Sequence, residues 1–242
     1  MISGLAVQVI KCDRVKFIYN QGQKLPEFDL SIKTGALTGI IGPNGTGKTT
    51  FLKLVSKLLQ PTSGTVTVST QNVGFLNQRN FFDIHFPINV FEVVSMGLYP
   101  QYRWLRYIDK KAKQRIYDAL EEVGLTKLMW RNIGHLSGGQ FQRAIFARLM
   151  VQDPEIILLD EPFNTVDCLT FKILTNQIRK WHDCGKTILC VMHDVIAVRQ
   201  IFKECIVIAK DTVRYVPMEK ITDEFLAQVF FCGTHAGAHN VI

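Results

Sequence analysis

One short stretch, Gly42-Pro43-Asn44-Gly45-Thr46-Gly47-Lys48-Thr49-Thr50, has the residue types and spacing that hold a polyphosphate. It reads G-x-x-x-x-G-K-[ST]. Gly42, Gly45 and Gly47 carry no Cβ, so the backbone can curl through positive φ and bring successive N–H groups onto an anion. Lys48 adds a full positive charge for the β- and γ-phosphates, and Thr49 offers a hydroxyl to Mg2+. The apolar run 37–41 ahead of the loop reads as a buried strand. Phe51, Leu52, Leu54, Val55 and Leu58 behind it recur at helical spacing. The loop is thus expected between a strand and a helix, at the positive end of the helix dipole.

Three further sites can face a phosphate. Leu136-Ser137-Gly138-Gly139-Gln140 opens a second helix, with Ser137 as N-cap and Phe141, Ala144, Ile145 and Leu149 on one face. Two glycines and a hydroxyl at a helix start make a second anion-binding surface. A chain holding one nucleotide does not need it, so it is expected to complete the site of another copy. The apolar run 156–159 reads as a strand buried on both faces and ends in Asp160-Glu161-Pro162. At the C-terminal end of a parallel strand, Asp160 can hold Mg2+ through its waters and Glu161 can orient and deprotonate water. Residues 187–192 form another buried run, ending in His193-Asp194. His193 is placed to donate a hydrogen bond to a γ-phosphate.

The elements that must position these groups follow from the pattern. Residues 5–10 and 14–19 read as paired strands, and Phe28, Leu30 and Ile32 alternate as a third. Tyr19, ending a strand upstream of the loop, could stack on a base. Residues 61–64 are expected to stop the first helix, and 65–69 and 73–76 read as short strands. Residues 80–87 and 100–107 are irregular and aromatic. Residues 88–97 and 109–123 read as helices, the second closed by Gly124. The block 80–135 is therefore expected to be a helical insertion. Later come a helix carrying Leu169, Ile173, Leu174 and Ile178, a hairpin at 206–208 and 212–215, and a helix near 223–231. The fold expected over 1–242 is α/β. It would resemble a P-loop NTPase core with a mixed or parallel sheet flanked by helices, an N-terminal antiparallel β subdomain and the inserted α-helical subdomain.

Composition sets limits. The 242 residues can bury one large core. No window approaches a membrane-spanning length of apolar residues, and the N-terminus has neither the basic nor the apolar region of a signal peptide. Cysteines at 12, 168, 184, 190, 205 and 232 form no paired CxxC, which suits a reducing compartment. The net charge of +7 is spread along the chain. An anionic membrane surface or a nucleotide accounts for it as well as nucleic acid does. Cys232, His235 and His239 have a spacing metal ligands can use, but are read as incidental residues of a terminal tail.

Over nearly its whole length the chain resembles the nucleotide-binding subunit of an ABC transporter. The resemblance makes 42–49 the phosphate loop, Leu136 to Gln140 the signature, 156–161 the carboxylate strand and His193 the switch histidine. It implies that Tyr19 stacks on adenine and that Asp167 lies in the loop crossing a dimer interface. It also implies that Gln78 contacts Mg2+ and the attacking water and senses membrane subunits, although Asn77 stands where the family usually has proline. Residues 86–90, 92–94 and 96–97, Glu161-Pro162-Phe163 with Val166-Asp167, and the run from His193-Asp194 to Val198-Arg199 resemble zinc and manganese importers. The resemblance implies a homodimer closing over two ATP with Mg2+, and integral membrane permease subunits docked near Gln78. It further implies an extracytoplasmic metal-binding protein, a peripheral place on the cytoplasmic face of the inner membrane, and no nucleic acid. Siderophore or haem import, an unrelated exporter, a soluble ABC ATPase acting on nucleic acid or protein complexes, and a nucleotide-gated scaffold remain the alternatives.

Overall fold

The structure is a computed structural model that describes residues 8–18, 24–77, 87–99, 109–164 and 166–231. Tyr19, Gln78 and the Cys232, His235 and His239 tail lie outside the described residues. In chain order the strands and helices are β1 (Gln8–Ile18), β2 (Lys24–Lys33), β3 (Leu37–Ile41), α1 (Lys48–Val55), β4 (Ser63–Val68), β5 (Val73–Leu76), α2 (Val90–Ser95), α3 (Lys110–Glu122), α4 (Gly138–Gln152), β6 (Ile156–Asp160), α5 (Cys168–Asp183), β7 (Thr187–Val191), α6 (Val195–Ile201), β8 (Glu204–Ala209), β9 (Thr212–Pro217) and α7 (Asp223–Phe231).

Two sheets organise the chain. A three-stranded antiparallel sheet runs β2-β1-β4, and a six-stranded sheet runs β5-β6-β7-β3-β8-β9. The larger sheet is parallel except for the final β8–β9 hairpin. Its central strands are apolar on both faces because both faces are covered. Along β6 the side chains alternate between two cores. Ile156 and Leu158 join Phe51 and Leu52 of α1 and Ile10 and Ile32 of the small sheet. Ile157 and Leu159 join Phe146 of α4, Trp181 of α5 and Phe202 just after α6. A third core seats α2 and α3 on α4 through Val90, Val94, Ile116, Leu120, Ala144 and Ala147. There Gly97 meets α4 so closely that a Cβ would lie 2.3 Å from the Arg148 carbonyl oxygen. The Arg115 and Arg143 guanidiniums tie α3 and α4 together through the carbonyls of Val151 and Val123.

Two sequence expectations are corrected. Residues 8–18 form one strand rather than two paired ones. The polar break at Asp13-Arg14 is a bulge, with Arg14 at φ 45° and its N–H donating to Asp29 Oδ1 at 2.8 Å. A bulge resets the alternation without reversing the chain, which is why it mimics a turn in sequence. The first helix ends at Val55, ahead of the stop expected at 61–64. Lys57 takes φ 60°, the Ser56 hydroxyl donates to the Lys53 carbonyl, and Leu58 is left 64% exposed. The cysteines Cys12, Cys190 and Cys205 are buried as small hydrophobes, and burial pushes the thiols of Cys12 and Cys205 up to about 12.

Candidate nucleotide site

Strands β6, β7 and β3 are neighbours and end at one level. Asp160 pairs with Val191, and Val191 pairs with Ile40. The loop after β3, the carboxylates ending β6 and the histidine after β7 therefore gather at one edge, where open α/β sheets bind ligands. No local pattern around any one of them dictates this; the strand order does.

The loop after β3 is shaped by its glycines. Gly42 stands at φ 153°, and a Cβ there would sit 1.9 Å from the Ile208 carbonyl oxygen. Gly47, the N-cap of α1, takes φ 104° and makes no side-chain cap. Thr46 closes the turn by donating its hydroxyl to the Pro43 carbonyl at 2.9 Å. Lys48 is buried, and its ammonium donates to the carbonyls of Gly42 at 2.8 Å and Pro43 at 2.9 Å. Burial lowers its pKa from the ordinary 10.5, opposed by Glu161 and Asp160. The folded state therefore carries a cost for the charged lysine below that value, and stability from this group rises as pH climbs toward 10.5. A polyphosphate brings the opposite charge that offsets this cost.

Thr49 donates its hydroxyl to Asp160 Oδ2 at 2.9 Å, and Asp160 is fully buried. A hydroxyl and a carboxylate are hard oxygen donors, so the pair fits Mg2+. Glu161 follows in the left-handed region at φ 53°, uncommon for a residue with a Cβ. Its N–H donates to the Val191 carbonyl at 3.2 Å. Both its carboxylate oxygens are engaged: Oε1 with His193 Nε2, and Oε2 with the Asn164 amide. His193 is thus placed beside Glu161. The next residue, Asp194, caps α6 by accepting from the N–H groups of Ile196 and Ala197.

The second helix start is built differently. Ser137 Oγ accepts from the Gln140 N–H at 3.2 Å, while Gln140 Oε1 accepts from the Ser137 N–H at 3.0 Å. This reciprocal capping box satisfies two N-terminal donors. Ser137 and Gly138 are exposed, and nothing lies within 4 Å of a Cβ built on Gly138. Gly139 packs inward, where a Cβ would lie 2.9 Å from Asp167 Oδ2. Asp167 caps α5, accepting from the Thr170 N–H at 2.7 Å. That bond, helped by the Arg143 charge, holds its carboxyl below the usual 3.8.

Sequence reasoning missed Asn164, Gln142 and the helix α6. Asn164 carried no signal beyond being a turn residue. Gln142, whose amide donates to the Pro162 carbonyl at 3.0 Å, carried none. Helix α6 was readable from Asp194, a good N-cap before an apolar run.

Strand, glycine loop, buried lysine and paired carboxylates define a phosphate-loop nucleotide hydrolase. A family model described as ABC transporter matches residues 25–164. The chain is 39% identical over 213 residues to the manganese transport system ATP-binding protein MntB of Listeria innocua serovar 6a, covering 85% of this chain and 89% of the relative. It is 39% identical over 204 residues to the zinc transport system ATP-binding protein TroB of Treponema pallidum, covering 81% and 76%. It superimposes with a TM-score of 0.75, at 27% identity and 86% and 98% coverage, on an ATP-binding cassette solved as a dimer in a post-hydrolysis state with ADP and Pi. The chain belongs to the ABC transporter family, and it is an ATPase of that family. Among the described residues no helix is long and apolar enough to cross a membrane.

Proposed function

We propose that this chain powers import of a manganese or zinc ion by hydrolysing ATP as a homodimer on separate membrane permease subunits, at the cytoplasmic face of the membrane. The observation that carries the reading is the convergence of Lys48, Thr49, Asp160, Glu161 and His193 at one sheet edge. The relatives named for manganese and zinc transport support the cargo.

Lys48 and the N–H groups of residues 44–49 bind the phosphates of ATP in one copy. Ser137 and Gly139 of the other copy close over the γ-phosphate, using an exposed hydroxyl and a helix start. Glu161 Oε1 accepts the proton of the attacking water, and His193 steadies charge on the γ-phosphate. Thr49 and Asp160, with Gln78, would hold Mg2+, which when bound neutralises charge on the phosphate oxygens. Tyr19 would stack on adenine, and Asp167 sits where the loop meets the other copy. Closure needs the γ-phosphate, so hydrolysis reopens the dimer and drives the permease. An extracytoplasmic metal-binding protein would deliver the ion, and no nucleic acid is involved.

The test replaces the chromosomal copy with Glu161→Gln and measures cell manganese, zinc and chelate-bound iron uptake. Selective loss of manganese or zinc is expected. Loss of chelate uptake alone, or unchanged metals, overturns the cargo.

A further inference from the structure

We propose that Asn164 is a positioning residue for the general base: its amide holds Glu161 Oε2, so that Oε1 alone faces the water and His193. The inference rests on Glu161 being the base. Glu161 is the first residue after β6 and sits in a left-handed backbone conformation at φ 53°. A flexible carboxylate at such a corner can turn about its last bond and present either oxygen. The structure fixes the choice from two sides, with Asn164 Nδ2 donating to Oε2 and His193 Nε2 against Oε1.

The turn that carries Asn164 is anchored independently of that side chain. The Asn164 N–H donates to the Glu161 carbonyl at 3.3 Å. The Gln142 amide, from α4, donates to the Pro162 carbonyl at 3.0 Å. Phe163 packs on Phe171 of α5 with ring centroids 4.8 Å apart. The backbone of 161–164 is therefore held by other groups, and the Asn164 amide reaches the carboxylate. Orientation of a reacting group to within a fraction of an ångström is worth one to two orders of magnitude in rate.

An isosteric change separates positioning from a structural part. Asn164→Asp keeps the shape and the turn preference but turns the donor into an acceptor facing a carboxylate. If Asn164 only shapes the turn, Asn164→Ala lowers the melting temperature and leaves kcat at the wild-type value. If it positions the base, kcat for phosphate release falls about 10- to 100-fold in both Asn164→Ala and Asn164→Asp, with KM for ATP unchanged. The Asp variant should be at least as slow as the Ala variant. In a Glu161→Gln background the Asn164→Ala change should cost nothing further, because its effect passes through the absent carboxylate. Steady-state kinetics, with thermal melts as a folding check, read the four variants beside wild type. A wild-type kcat in Asn164→Ala, or a further loss in the double variant, overturns the inference while leaving Glu161 as base. A Glu161→Gln protein that hydrolyses at the wild-type rate overturns the base itself.

Discussion

The starts of α1 and α4 are both helix termini that we propose face phosphate, yet they are finished in opposite ways. At α1 the N-cap is a glycine with no side-chain cap, and a buried lysine lies alongside. Its cap supplies no side-chain acceptor to the N–H groups, and the lysine's charge costs free energy until an anion arrives. At α4 a serine and a glutamine cap each other, and the terminus projects into solvent at Ser137 and Gly138. Its donors are partly satisfied and its hydroxyl keeps a proton to give. In the proposed function the first terminus is the receptor and the second the lid. One copy of the chain holds both, and the division of labour makes sense when two copies face each other.

The largest effect expected on this comparison comes from Glu161→Gln. Phosphate release should fall roughly 10²- to 10⁴-fold while ATP binding survives, because a base is lost and the receptor is untouched. Equal loss of binding in a fluorescent-nucleotide titration would place Glu161 in the receptor instead. Next, Lys48→Ala should weaken ATP binding roughly 10- to 100-fold, the worth of hydrogen bonds to a charged group. Lid substitutions should spare that binding and strike turnover. Ser137→Ala should also lose about 1 kcal/mol of stability with its cap, whereas Ser137→Asp should keep the cap and still lose turnover through repulsion of phosphate. Denaturation midpoints set beside phosphate release separate the two.

The smallest effect concerns pH. The Asp167 carboxyl, held down chiefly by the Thr170 N–H, stabilises the fold above its unfolded value of 3.8. That stabilisation is lost as pH falls through the lower folded value. Asp167→Asn should be less stable than wild type at neutral pH, and the gap should close in acid. A gap constant from pH 7 to strongly acid solution in urea denaturation would show that the carboxylate contributes no charge effect.

Much of this was readable in the residues because phosphate chemistry restricts residue type. The glycines at 42, 45 and 47, Lys48, and the carboxylates ending an apolar run announce themselves, and the apolar runs place them at strand ends. The sheet order that brings β3, β6 and β7 together is a long-range property that no local pattern carried. Local strain was also hidden. The bulge at Arg14 looks like a turn because both interrupt alternation with polar residues, and the early end of α1 depends on a left-handed Lys57 that no residue type required. The hydrogen bonds of Asn164 and Gln142 join segments whose side chains are ordinary for a turn and a helix.

The central claim, that each hydrolytic site is assembled from the receptor of one copy and the lid of another, is tested most directly by sedimentation velocity of the Glu161→Gln protein. With ATP and Mg2+ it should sediment as a dimer, with ADP as a monomer, and adding Ser137→Asp should return the ATP form to monomer. A Glu161→Gln protein that stays monomeric in ATP, beside wild-type monomers that hydrolyse at full rate regardless of Ser137, would contradict it.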